Sequence, residues 1–308
     1  MRINLFVVFM SIILLTAPTF GEEVLIAKKV STAPAIDGKM DPVWETAKST
    51  VIKVSRVPDA IVAKNKEMQK GKYAKNWEKS EWSNVSEAEM KAVYTDTDVF
   101  FFVKWKDSTK NDTMKIYHWD KEKKEYIEGK EKEDRFTIQF PISGDWNSCM
   151  LGGSNYVTDI WFWKAARTNP VGIAHDKYHI YSLTEIKGKY AIHYSVDGKT
   201  LYIARPNDGN VEPYKEKKID PFTHQGDDVP RYEPFIPDNP DAADIKAKGV
   251  WENGMWTLEM GRKLDTGNKD SDAVIDPSKG TYFTIAVHDN NADHFHNTSG
   301  TVKLVFEK

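Results

Sequence analysis

Apolar and polar positions alternate with a period of two along much of the chain. Arg135–Phe140 (RFTIQF) alternates strictly, and Met90–Thr95 and Val99–Lys106 are β-branched and aromatic segments separated by a three-residue turn. Asp159–Ala165 (DIWFWKA) has apolar residues at both odd and even positions, which predicts a strand covered on both faces. This period predicts strands rather than helices.

The turn signals Asp197-Gly198 and Asn253-Gly254 predict two hairpins later in the chain. Roughly ten strands with regularly spaced turns predict an all-β fold, an antiparallel β-sandwich with long inserted loops. The further predicted strands are Tyr190–Val196, Thr200–Ala204, Trp251–Trp256, Thr281–His288 and Thr301–Phe306.

Two stretches interrupt this pattern. Asp120–Arg135 holds 13 charged residues of both signs in 16, which predicts a solvated loop or hairpin tip, or alternatively a docking surface. Pro206–Pro240 carries seven of the 14 prolines, so residues 206–248 are predicted to form an irregular excursion. Such a loop is either a mobile surface loop or a lid or partner-binding arm. With no internal repeat and no clean boundary, residues 22–308 are predicted to form one domain.

Residues 1–21 have the organisation of a secretory signal peptide. Arg2 provides the positive start, Leu5–Leu15 is apolar, and Thr19 and Gly21 are small residues before a cleavage site. The alternative is an uncleaved anchor helix, although the apolar run is short for a span. No later run approaches 18 apolar residues, so we expect an exported protein without a transmembrane segment after signal removal.

Composition and the absence of several motifs exclude some classes of function. The formal net charge of −3 provides no basic excess for nucleic acid. The single cysteine, Cys149, rules out an intrachain disulfide, a CxxC metal knuckle and a CxxCH haem attachment. The chain has no phosphate-binding glycine loop, no nucleophile elbow and no HExxH motif. A total of 10 Trp, 13 Tyr and 14 Phe favours strands and flat ligands.

Three groups of residues could carry chemistry. Met150 lies in a loop between two aromatic strands, and its thioether suits haem iron or copper(I), unless it only fills a core gap. His288, His294 and His296 fall within nine residues and could bind iron, copper or zinc, or be surface histidines. The third group follows the aromatic Trp161–Trp163 segment. Lys164 and Arg167 could bind carboxylates there, or be surface cations beside ordinary core or a sugar-binding platform.

Several segments resemble a known family. Ala35–Trp44 (AIDGKMDPVW) is similar to the start of family-9 carbohydrate-binding (CBM9) and DOMON-like sandwiches, which are immunoglobulin-like. Asp159–Pro170 (DIWFWKAARTNP), Trp256–Leu264 and Tyr282–Asp289 resemble the ethylbenzene-dehydrogenase-type haem-binding domain. The resemblance covers about residues 33 to 306, nearly all of the chain after the predicted signal peptide.

The resemblance implies one non-covalent haem b. The axial methionine of the haem b members matches Met150. Alignment on the Thr298–Gly300 turn places His296 where those members have a lysine and c-type relatives a histidine. The order of preference for the second ligand is therefore His296, then His294, His288 and Lys263. Arg167, Lys164 and Tyr156 are the residues expected at the haem propionates.

The resemblance also implies a role and partners. The chain would be a non-catalytic, electron-transferring gamma subunit beside an iron–sulfur beta subunit and a molybdenum-cofactor alpha subunit, as in nitrite oxidoreductase. Its electron acceptor would be a soluble protein such as a cytochrome c. The compartment would be the periplasm or an equivalent such as an anammoxosome lumen. The alternatives are a CBM9-like sugar-binding module, a copper or zinc carrier, and a stand-alone exported cytochrome.

Overall fold

A computed structural model describes residues 23–57, 82–150, 153–187, 192–196, 199–290 and 296–308. The predicted signal peptide at 1–21 and His294 lie outside the described residues. Within the described part of the chain, no helix is long and apolar enough to cross a membrane.

Nearly all regular structure in the described residues is β-strand. One four-residue helix, α1 (Pro42–Glu45), and three 3₁₀ turns, η1 (Asn169–Val171), η2 (Asp208–Asn210) and η3 (Pro240–Ala242), accompany the strands. The strands are β1 (Glu23–Lys29), β2 (Thr50–Ser55), β3 (Glu87–Tyr94), β4 (Asp98–Lys106), β5 (Tyr117–Asp120), β6 (Glu125–Glu128), β7 (Arg135–Gly144), β8 (Tyr156–Lys164), β9 (His175–Ser182), β10 (Ile192–Val196), β11 (Lys199–Ala204), β12 (Tyr214–Glu216), β13 (Asp228–Val229), β14 (Tyr232–Pro234), β15 (Lys246–Glu252), β16 (Met255–Lys263), β17 (Thr281–His288), β18 (Asn297–Ser299) and β19 (Val302–Phe306).

The main strands form two layers. One layer has the order β15-β16-β4-β3-β2, and the other has the order β10-β11-β9-β8-β7-β17-β18. The layers join where β18 pairs with β2 and where β17 pairs with β19. Pairing between these strands is antiparallel, whereas β1 runs parallel to both β19 and β3. The predicted all-β sandwich is therefore confirmed, with one parallel strand that the alternation did not predict.

Aromatic side chains from both layers fill the core. The Phe101 and Trp161 rings lie 5.8 Å apart edge to face, and the Trp105 ring stacks on Phe136 at 5.4 Å. Inward positions of β8 therefore pack against β4 of the other layer. Because side chains alternate along a strand, every second residue of β7, β8, β9 and β17 points away from this core.

The opening motif serves the fold. Buried Glu259 on β16 accepts hydrogen bonds from the Trp44 indole Nε1 at 2.6 Å and from the backbone N–H groups of Asp37 and Gly38 at 2.9 and 2.7 Å. One carboxylate thus holds α1 and the preceding turn on the sheet. The AIDGKMDPVW segment consequently has a structural explanation in this chain.

The predicted strands with strong alternation are present, whereas β1, β2 and β9 were not predicted. The charged stretch begins at the last residue of β5 and contains the turn and β6 of the β5–β6 hairpin, which fits the predicted hairpin tip. Its last residues, Glu133, Asp134 and Arg135, are instead buried. The proline-rich excursion contains only short elements, among them a β12–β14 pair and β13, which pairs with β5. This excursion packs over the sheet that carries the candidate site.

Candidate functional site

A cavity of about 300 Å³ lies on the outer face of the second layer. Its floor is formed by outward side chains of β7, β8, β9 and β17, including Gln139, Ile160, Phe162 and Thr284. The cavity brings together five of the predicted site residues: Met150, Lys164, Arg167, His288 and His296. Met150 from the β7–β8 connection and Tyr214 from the excursion also line it.

Met150 reaches the cavity from the β7–β8 connection. It packs with Cys149 against a buried cluster that includes Tyr156, Tyr181 and Leu201. The Tyr156 and Tyr181 rings stack at 4.3 Å, and burial raises the pKa of the Tyr156 hydroxyl above its usual value. Tyr156 thus supports the Met150 segment from behind Tyr181 and is not among the residues that line the cavity.

Two histidines, His288 and His296, lie at the end of β17 and directly before β18. His288 ends β17 and is buried, and its ring lies 4.5 Å from that of His296 and 5.7 Å from that of Phe162. Both His288 and His296 line the cavity. Met150, from the β7–β8 connection, and His296, just before β18, therefore line the same cavity.

Lys263, the last of the ranked alternatives, is elsewhere. It is exposed at the end of β16, where it pairs in register with Asp98, and it does not line the cavity. The candidate second ligands that the structure does bring to the cavity are His296 and His288.

One wall of the cavity is strongly cationic. Its basic side chains are Arg135, Lys164, Arg167, Lys177 and Arg205, and no carboxylate lines the cavity among the described residues. A ligand with one apolar body and carboxylate groups at one edge would fit this distribution, because guanidinium and ammonium groups bind carboxylates through charge-assisted hydrogen bonds.

Lys164 is fully buried in this wall. Its Nζ lies 2.7 Å from His175 Nδ1 and 3.1 Å from the Tyr214 hydroxyl. Burial, followed by the neighbouring Arg167 and Lys177, lowers the pKa of Lys164 well below its usual value. Burial and the adjacent Lys164 also lower the pKa of His175, so the histidine stays neutral. An incoming carboxylate would supply the negative charge that favours the ammonium form of Lys164.

Arg167 is positioned by a buried carboxylate. Glu133 accepts hydrogen bonds from Arg167 Nε at 2.6 Å and from the Ala166 and Arg167 backbone N–H groups at 2.8 and 3.0 Å. The guanidinium also lies 4.6 Å over the Tyr214 ring. This support leaves Arg167 fixed at the cavity rim beneath the excursion.

Sequence reasoning missed the contribution of β9. His175, Lys177, His179 and Tyr181 occupy alternate positions, and the last three line the cavity. Their period of two was a usable signal for a strand with one functional face. No local sequence pattern indicated Arg205 or Tyr214, because only tertiary packing brings their part of the chain to the cavity.

The side chains that line the cavity favour some bound groups over others. Met150 supplies a soft thioether and His296 an imidazole, which are both axial ligands of haem iron. The clusters of three His, Cys or carboxylate side chains that the described residues form lie outside this cavity. The described residues therefore fit a haem with its carboxylates at the cationic wall better than a bare copper or zinc ion.

Comparisons with known proteins bear on this site. A protein-family model described as ethylbenzene dehydrogenase matches residues 41–299. A family-9 carbohydrate-binding module from Caldicellulosiruptor kristjanssonii, solved with cellotriose, is similar over 93% of this chain and 95% of its own at 9% identity and a TM-score of 0.36. The same kind of module from that organism, solved with glucose, covers 92% and 97% at 9% identity and a TM-score of 0.34. No curated protein sequence matches the chain.

Proposed function

Because the chain belongs to the ethylbenzene dehydrogenase family, we propose that it is the haem b-binding subunit of a molybdenum oxidoreductase, related to the gamma subunit of nitrite oxidoreductase. In this role it passes electrons between an iron–sulfur subunit and an external acceptor such as a cytochrome c, in an extracytoplasmic compartment. The observation that carries the proposal is the cavity that combines Met150, His296 and a cationic wall.

When bound, haem b supplies a one-electron carrier. Met150 and His296 would hold its iron, and the subunit would transfer electrons without catalysing a reaction. Lys164 and Arg167 would neutralise the propionates. Phe162 and Ile160 would exclude water from one face of the group.

The test is the visible spectrum of the purified full chain, oxidised and dithionite-reduced, after supply of haem b. We expect about one extractable haem per chain with a six-coordinate, low-spin spectrum. Met150→Ala should weaken haem retention and change the spectrum, whereas Met114→Ala, at another cavity-lining methionine, should retain the wild-type spectrum. His296→Ala and His288→Ala identify the second ligand in the same assay.

A chain that shows no Soret band after haem supply would overturn the proposal, and sugar-binding and metal-content assays would then test the remaining alternatives. A haem protein that always purifies without iron–sulfur or molybdenum subunits from its native source would instead indicate a stand-alone cytochrome. An unchanged spectrum and potential in Met150→Ala would remove Met150 from the ligand set.

A further inference from the structure

Three carboxylates meet where β4 ends, β7 begins and β17 ends. Asp107 directly follows β4, Asp134 directly precedes β7, and Asp289 directly follows β17. These three residues form the Asp107 cluster, in which one carboxylate oxygen from each residue lies within 4.8 Å of the other two. The cluster does not line the cavity, so it is a separate feature of the fold.

The Asp107 cluster concentrates negative charge that the protein itself does not neutralise. Asp134 is fully buried, Asp107 is 4% exposed and Asp289 is half-buried. Within the described part of the chain, no lysine, arginine or histidine forms an ion pair with any of the three. The other buried acidic cluster differs, because the Arg262 guanidinium lies among its carboxylates. Buried carboxylates without a cation are costly, so the Asp107 cluster requires a counter-charge.

An oxygen of Asp107 points to a bound ligand. Asp107 Oδ1 accepts hydrogen bonds from the Thr109 backbone N–H at 3.1 Å and from the Thr109 hydroxyl at 3.3 Å. The other oxygen, Oδ2, is buried and has no donor among the described residues. Burial, and to a lesser extent the charge of Asp289, raises the pKa of Asp107 to about 6. A buried carboxylate oxygen that lacks a donor needs a cation or a proton.

Asp134 is held in place by donors from three parts of the chain. Its Oδ1 accepts a hydrogen bond from the Asn290 backbone N–H at 3.0 Å. Its Oδ2 accepts from the Asn111 backbone N–H at 2.9 Å and from the Trp256 indole Nε1 at 3.0 Å. An ionised carboxylate offers about four acceptor positions, so these three bonds orient Asp134 and leave it able to bind a cation.

We propose that the Asp107 cluster is a structural calcium site. Calcium takes about six to eight oxygen ligands at about 2.3–2.6 Å, so oxygens within 4.8 Å of one another can share one ion. Carboxylates without histidine or cysteine select a hard cation. Water at the half-buried Asp289 side completes the coordination. Magnesium demands a near-ideal octahedron and retains several waters, which the two buried carboxylates disfavour.

The calcium site joins segments that also carry cavity residues. Asp134 immediately precedes Arg135, and Asp289 immediately follows His288. Both Arg135 and His288 line the cavity. A calcium ion bound to the Asp107 cluster would therefore hold the start of β7 and the end of β17 against the connection that follows β4. This inference does not depend on which group the cavity binds.

Terbium, which replaces calcium at oxygen sites, provides a direct probe in the full chain purified without chelator. Because the Trp256 indole donates to Asp134 at 3.0 Å, excitation of Trp256 should sensitise the luminescence of a terbium ion bound there. Calcium should displace the terbium, whereas equimolar magnesium should not. Elemental analysis should find about one calcium per chain. EDTA should lower the melting temperature, because a ligand that binds only the folded state stabilises it.

Variants locate the ion. Asp107→Asn and Asp289→Asn should each weaken terbium and calcium binding by at least about tenfold, because each removes a charged ligand. Asp112→Asn is the matched control and should retain binding, because Asp112 is an exposed carboxylate of the same connection. Asp272→Asn, beside Arg262, should change stability but retain the response to calcium.

The titration of the wild-type chain decides the question even where a variant fails to fold. A chain that shows no sensitised terbium luminescence, holds no calcium, and melts at the same temperature in calcium and in EDTA would overturn the proposal. Luminescence that persists undiminished in both Asp107→Asn and Asp289→Asn would also overturn it, because the ion would then lie elsewhere.

Discussion

The two faces of one sheet carry opposite charge in this protein. Outward positions of β8 and β9 present Lys164 and Lys177 to the cavity, whereas inward positions of the same strands present Asp159 and Asp176 to a buried acidic cluster around Arg262. Lys164, Asp159 and Asp176 are buried and Lys177 is half-buried, and Coulomb interactions are strong where the dielectric constant is low. The outer face is therefore suited to an organic anion, whereas on the inner face the chain's own Arg262 meets the carboxylates.

The charged hairpin tip at β5 and β6 provides the contrast. It has many more charges than either face, yet both signs are mixed and solvent screens them. His118 there lies between Glu131 and Asp228 with its side chain 43% exposed. Buried side chains of one charge sign therefore indicate a binding site better than exposed charges of mixed sign do. Variants at buried and exposed charged residues can test whether buried charge contributes more to stability and binding.

The largest effect is expected at Arg262. Arg262→Met removes the guanidinium that contacts Asp159 and Asp272 and leaves buried carboxylates uncompensated, so the free energy of unfolding should fall by about 3–5 kcal/mol. Urea unfolding measures this, with Lys263→Met at the exposed neighbouring position as the control. A loss below about 1 kcal/mol would mean that the inner face is already neutral.

On the outer face, Lys164→Met should reduce haem affinity about tenfold, the effect of one charge-assisted hydrogen bond of about 1.5 kcal/mol. Stability without haem should not fall, because the variant removes a buried ammonium among cations. The pKa of Lys164 is lowered in the folded state, so wild-type stability should rise as the pH increases toward the unfolded value, and Lys164→Met should lack that rise. Lys187→Met, at an exposed position, is the control for haem titration and pH-dependent unfolding.

Glu259 tests a buried carboxylate that already has its donors. Glu259→Gln keeps the shape but loses the charge that accepts from Trp44 and from the Asp37 and Gly38 backbone, and should cost about 1–3 kcal/mol. Thermal or urea unfolding of Glu259→Gln beside Glu252→Gln, at an exposed position of β15, provides the comparison.

The smallest effect is expected at the charged tip. Hydrogen bonds to Glu131 and then Asp228 raise the pKa of His118 in the folded state. The stabilisation is therefore present below the unfolded pKa of about 6.5 and is lost as the pH rises through the raised folded pKa. His118→Gln should change stability by less than about 1 kcal/mol and only at acidic pH, because the pair is exposed. A larger loss at pH 5 would show that the tip is more than a solvated hairpin.

Strand positions were predictable where the chain alternates, as in β7, or is rich in β-branched and aromatic residues, as in β4 and β17. β9 was missed because its outward residues are His175, Lys177 and His179 rather than apolar ones, so the hydrophobic period is weak there. Met150, His296, Lys164 and Arg167 could be proposed from residue chemistry and family resemblance. Tyr156 was proposed on the same grounds, but it stacks on Tyr181 and does not line the cavity. Its position depends on how the β7–β8 loop packs.

Local sequence by itself determined which residues share a face, because successive side chains of a strand point to opposite sides. It thereby placed Asp159 and Lys164 on opposite faces of β8, whatever the rest of the chain does. Only the tertiary structure decided what meets each face. Arg262 comes to Asp159 from β16 of the other layer and Asp272 from the loop after β16, and Tyr214 comes to Lys164 from the excursion. Contacts between elements far apart in the chain depend on how the layers and loops pack, and no local pattern records that packing.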